Sequence, residues 1–134
     1  MAITLETNAR NAACNGVVDL VDGGTGSPTS GTLEVKSGAS TTVGVNEVAN
    51  LNFANPAFGN AATGVATANG ITSDTNAAGG TASNFTVFDS DGTAVFAGSV
   101  TATGGGGDLQ LSSVAVGAGD TVSCSSFTVT MPAS

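Results

Sequence analysis

At 134 residues, with ten acidic and two basic side chains, the chain carries a net charge of −8 and contains no His, Tyr or Trp. That removes most equipment for proton transfer, phosphate contacts and base or sugar stacking, and acidity of this size argues against nucleic-acid partners and anionic membranes. Leu, Ile, Val and Phe supply 29 residues, about 22% of the chain, close to the level of roughly 20% below which a highly charged sequence struggles to fold alone. A single domain over residues 1–134 is expected, with a thin core completed by contacts in a homo-oligomer or by a partner that helps order it.

The opening Met1-Ala2-Ile3-Thr4-Leu5-Glu6 lacks the basic and apolar regions of a secretory signal. No run approaches the ~18 apolar residues of a membrane span. Cytosolic synthesis then leaves Cys14 and Cys124 as reduced, buried apolar residues. A Cys14–Cys124 disulfide tying the two ends together stays open as the alternative.

Residues 6–21 predict a helix. Ala9, Ala13, Val17 and Leu20 recur at the spacing of a buried stripe, to be packed on a sheet. Thr4 or Thr7 can cap it, Glu6 suits its positive end, and Asp22-Gly23-Gly24 ends it. Gly16 weakens its middle by roughly 1 kcal/mol relative to Ala. Arg10, otherwise an isolated cation, is expected to pair with a carboxylate, within the chain or across a subunit boundary.

Residues 22–31 read as a loop. Thr32–Lys36 alternates as a strand with Leu33 and Val35 inward, and 37–46 is again small and polar. Val48–Phe53 resumes the alternation, with Leu51 and Phe53 on one face, until Asn55-Pro56 breaks it. Gly64–Ala68 and Ile71 make one or two short strands, and 72–80 is a polar loop. Ala82–Phe88 and Thr93–Val100 form a hairpin around Asp89-Ser90-Asp91-Gly92. Gly104–Gly107 reads as a flexible link, Asp108–Leu111 as a short strand and Gly117–Asp120 as a turn. The last strand, Thr121–Met131, changes parity between Val122/Cys124 and Phe127/Val129/Met131, which predicts a bulge near Ser125-Ser126. Seven or eight short strands and one helix give a mainly β fold, a β-sandwich of jelly-roll type with one N-terminal α-helix.

No catalytic, cofactor-binding or metal-ligating residue is assigned. Asp89-Ser90-Asp91-Gly92 imitates the start of a calcium loop, but its twelfth position is Val100 instead of a Glu, so it reads as a hairpin turn. A calcium site using Asp74, Asp108 or Asp120 from separate loops stays open. Gly104–Gly107 lacks the Lys and Ser/Thr of a phosphate loop. Cys14 has no His to act as its base, and Cys124 lies at an inward strand position. The chain is therefore expected not to be an enzyme and to need no cofactor.

Several segments, in one order along nearly the whole chain, carry a resemblance. They are Ala9-Arg10-Asn11-Ala12-Ala13-Cys14 with Val18–Gly24, Asn55-Pro56-Ala57-Phe58-Gly59, Gly64–Ala68, Phe88-Asp89-Ser90-Asp91-Gly92-Thr93 and Ser126–Pro132. On these the chain resembles a group of small structural proteins of tailed bacteriophage virions. Members often carry a Lys-Ile-Tyr-Asp-Gly-like stretch after the first loop. Here Leu33-Glu34-Val35-Lys36-Ser37-Gly38 stands in that place without the Tyr, so a contact made through that aromatic is not carried over.

The resemblance implies a virion protein made in the host bacterial cytoplasm and held in the particle. Within that class the leading expectation is a capsid decoration, or cement, protein. It would sit on the capsid surface as a homotrimer bound to the major capsid protein, without nucleic-acid or membrane partners. A thin core, a surface nearly free of Lys and an acidity able to complement a basic rim all fit dense ordered packing. The alternative is a tail, neck or fibre-tip structural or receptor-contact module, working through the loops at 22–31, 37–46 and 72–80.

Overall fold

The computed structural model describes residues 3–23 and 30–133. Residues 24–29, most of the loop expected over 22–31, lie outside the described residues, as do the ends of the 1–134 domain. Helix α1 spans Thr7–Val18 and a 3-10 turn follows at Asp19–Asp22. Nine strands come next among the described residues: β1 (Thr32–Lys36), β2 (Glu47–Asn52), β3 (Val65–Thr67), β4 (Gly80–Thr81), β5 (Asn84–Phe88), β6 (Ala94–Ala102), β7 (Leu109–Leu111), β8 (Ala115–Val116) and β9 (Thr128–Thr130). The fold is mainly β with one N-terminal helix, around a curled five-stranded sheet of order β2-β1-β5-β6-β7. Two small sheets, β3–β9 and β4–β8, accompany it.

The hairpin forms where the turn residues place it. Asp89 Oδ1 accepts the N–H groups of Asp91 and Thr93, both at 2.9 Å, and Gly92 takes the left-handed conformation at φ +83°. The strands it joins, β5 and β6, pair antiparallel, whereas β6 and β7 run parallel. Parallel neighbours normally need a crossover of about a dozen residues or more. Here residues 103–108 suffice, because Gly104 and Gly106 adopt positive φ and fold the chain back. Gly104 N–H donates to Gln110 Oε1 and Gly107 N–H to Thr101 Oγ1, each at 3.0 Å. The four-glycine run expected as a flexible link is thus a hydrogen-bonded turn.

The parity change near the C-terminus takes a different form from the expected bulge. A bend at Ser125 separates an isolated bridge, Val122 to Asp74, from β9, which pairs with β3. Val122 and Phe127 are both buried as a result. Phe127 is the hub of the core. Its ring lies 5.5–6.2 Å from those of Phe53, Phe58, Phe85 and Phe96. Gly98 makes room for this cluster, since a Cβ there would stand 2.6 Å from the Phe85 ring.

The helix packs on β3 and β9, but not through the expected face. Cys14, Val18 and Val21 are the fully buried stripe, Ala13 and Val17 are half-buried, Ala9 is exposed and Leu20 is 57% exposed. Hydrogen bonding explains the rotation. Asn11 Oδ1 accepts the Gly64 N–H at 2.7 Å, Asn15 Oδ1 the Ala61 N–H at 2.8 Å, and Asp22 Oδ1 the Ala57 N–H at 3.0 Å. These side chains pair the backbone donors of an irregular segment, each of which would cost about 1–3 kcal/mol if buried and unpaired. Burying Ala9 and Ala13 instead offers only about 0.8 kcal/mol per methyl-sized group. The helix start also differs from expectation: Glu6 is the cap residue and makes no side-chain capping bond.

Candidate functional site

Strand β1 has two buried faces. Leu33 and Val35 enter the aromatic core as expected, yet Glu34 and Lys36, on the opposite face, are also fully buried. They form an ion pair at 2.5 Å. Residues 37–46, expected to be a small polar loop, fold over this face and cover it. Lys36 Nζ donates to Glu34, to Thr42 O at 3.1 Å and to Val45 O at 2.8 Å, so each of its three protons has an acceptor. The Glu34 carboxylate accepts the Gly44 N–H at 3.1 Å. Thr86 Oγ1, on the neighbouring strand, donates to Ser40 O at 2.9 Å. The Phe88 ring centroid lies 5.3 Å from Lys36 Nζ and closes the site from one side.

A buried ion pair is costly unless its remaining protons and lone pairs are satisfied. Here the loop backbone supplies those partners, so the pair fixes the course of residues 42–45. Gly44 holds φ +79°, which aims its N–H at Glu34 and turns its two neighbours outward. Val43 and Val45 are accordingly 48% and 44% exposed. Two apolar side chains project from a loop whose backbone is held by charge-assisted bonds.

A carboxylate follows this tip, Glu47, two residues beyond Val45. Burial pushes the Glu47 carboxyl above its ordinary range, and the negative charges of Glu34 and then Asp74 add to the effect, against the opposing pull of Lys36. Asp74 also organises the 72–80 segment, accepting the Asn50 N–H at 2.8 Å and the Asn76 N–H at 2.9 Å. The arrangement presents a small apolar tip followed by one acidic side chain, Glu47, and offers no nucleophile–base pair.

The other sequence candidates lie apart. Asp108 accepts the Ser99 N–H and hydroxyl at 3.0 and 3.1 Å, and these bonds hold its carboxyl below the usual range. Asp120 accepts the Gly117 N–H at 2.8 Å. Asp74, Asp108 and Asp120 each serve their own turn, and among the described residues no three His, Cys, Asp or Glu side chains are grouped to hold a metal. Both cysteines are free. Cys14 is buried and donates to Val129 O at 3.3 Å, while burial pushes the half-buried Cys124 thiol up. Arg10 Nε donates to Met131 O at 2.9 Å, and among the described residues the ion pair formed is that of Lys36 and Glu34, so the Arg10 partner within the chain is a backbone carbonyl.

Sequence reasoning missed the buried pair and the exposed tip. The available signal was the two-residue spacing of Glu34 and Lys36, which puts opposite charges on one strand face. Among the described residues no helix is long and apolar enough to cross a membrane. The chain matches no protein-family model, no curated protein and no solved structure.

Proposed function

We propose that this chain is a bacteriophage virion structural protein, a capsid decoration or cement protein that binds the major capsid protein from the outer surface as a homotrimer. The observation that carries the reading is the tip at Val43 and Val45. A buried ion pair spent on fixing a surface loop gives little stability for its cost, but it lowers the entropy lost when that loop meets a partner. The acidic group that follows it, Glu47, two residues beyond Val45, suits a basic rim on the partner, where complementary charge guides docking. The three sheets are read as a sandwich of jelly-roll type, with the five-stranded sheet as one layer. Phe127, edge-on to Phe85 and stacked on Phe96 of that sheet, supports this by linking the layers.

A cryo-electron reconstruction of particles containing the chain tests the reading. Copies repeated over the icosahedral shell, with Val43 and Val45 against the capsid protein, are expected. Density confined to the neck, tube or fibre rejects cement and favours the tail module. Capsid binding should also fall when Val43 and Val45 are both changed to Asp.

A further inference from the structure

The two sides of the five-stranded sheet end differently. The outer edge of β2 is covered by the 72–79 segment. Asn52 exchanges backbone bonds with Thr72, Asn50 N–H reaches Asp74, and Gly79 N–H reaches Val48 O. The outer edge of β6 pairs with β7 only at Val100–Ala102 and leaves residues 95–98 without a neighbouring strand. Ser99 N–H points outward to Asp108, so Ala97, two residues earlier, presents its own N–H and C=O on that same edge.

Across from this edge lies β9. Ala68 N–H to Phe127 O and Met131 N–H to Gly64 O turn the odd-numbered residues of that segment toward β3. Thr128 and Thr130 therefore direct their backbone groups the other way. No ladder joins β6 to β9 among the described residues. Between them is an open groove with Phe85, Phe96 and Phe127 at its base and Ala97 and Thr128–Thr130 on its walls. Two facing strand edges over an apolar floor fit an extended strand better than a helix or a small molecule.

We infer that this groove receives the extended segment at Ile3–Thr4, ahead of the anchored Leu5, of a second copy of the chain, closing the sheet by strand addition. That segment belongs to no strand, and Ile3, 69% exposed, is the most exposed large apolar side chain described. In sequence, Met1, Ile3 and Leu5 alternate with Ala2, Thr4 and Glu6, the pattern of a strand with one apolar face. The groove of the same copy is out of its reach. Leu5 N–H donates to Ala133 O at 2.7 Å, Arg10 to Met131 O and Cys14 to Val129 O, so the chain from residue 5 to 14 retraces 133 back to 129. Thr4 and Ile3 thus lead past Ala133, away from Thr128. Charge permits the self-contact as well. In a chain of net charge −8, Asp108 is the one carboxylate lining the groove, already engaged with Ser99, and Ile3-Thr4-Leu5 has none. The inference does not rest on the capsid reading, because it concerns the isolated chain.

Sedimentation velocity of the purified full chain over a range of concentrations tests it. The wild type should assemble, more strongly as salt screens the like charges. Ile3→Asp should weaken association by about tenfold or more, the scale of one lost large apolar contact. Ala97→Pro deletes an outward N–H without touching the β5 ladder and should have a comparable effect. Mixing the two variants should restore a pairwise complex, since one supplies an intact groove and the other an intact segment. A wild type that stays monomeric, or variants that assemble as it does, overturns the inference. If Ala97→Pro fails to fold, hydrogen exchange in the assembled wild type decides: slow exchange at Ala97, Thr128 and Thr130 is required, and fast exchange refutes it. A monomer whose groove amides become protected only on adding capsid protein also refutes it, in favour of a strand from another chain.

Discussion

The two faces of β1 and β5 hold the molecule together by different physics. On one, Leu33, Val35, Phe85 and Val87 meet the aromatic cluster around Phe127, and the stabilisation grows with the apolar area removed from water. On the other, Glu34, Lys36 and Thr86 are as deeply buried, but their burial is tolerable only because their donors and acceptors pair with one another and with the 37–46 loop. The first face tolerates gradual change in size. The second fails when one partner is lost.

That contrast can be broken by mutation. Phe127→Ala should give the largest loss, about 4 kcal/mol, because one truncation leaves four rings facing a cavity; urea unfolding measures it, and a loss under about 1 kcal/mol would remove Phe127 from the hub. Lys36→Met should cost about 3 kcal/mol by leaving the buried Glu34 side chain without its cation partner. Changing Glu34 and Lys36 together to apolar residues should recover much of that stability. Hydrogen exchange at Gly44 should become fast in the double variant, because its carboxylate acceptor is gone. If Lys36→Met alone is neutral, the polar face is no second core.

Gly98→Ala probes the seam at β6 and should cost about 2 kcal/mol, since the new methyl meets the Phe85 ring. Near-ultraviolet spectra and unfolding midpoints would both report it. The smallest effect belongs to Glu47. Its raised pKa means the folded chain holds that proton more tightly than the unfolded chain does. The corresponding stability is present in acid and is lost as pH rises through the folded-state pKa. Glu47→Gln should therefore stabilise the neutral protein by less than about 0.5 kcal/mol, given its solvent contact, and the gain should vanish below about pH 4. A gain that grows in acid would reverse the sign and the explanation.

Much of the local structure was legible in the residues themselves. Alternation placed β1 at Thr32–Lys36 and brought Leu51 and Phe53 into the core, and turn chemistry placed the bend at Asp89–Gly92. These features depend on neighbours within a few residues, where periodicity and left-handed glycines act. The helix face was not legible, because its rotation is set by Asn11, Asn15 and Asp22 bonding a segment some 35 to 53 residues away. The burial of Glu34 and Lys36 was hidden for the same reason. A strand pattern shows which side chains share a face, but only the tertiary structure decides whether a loop covers that face and brings the hydrogen-bond partners that make burying charge tolerable.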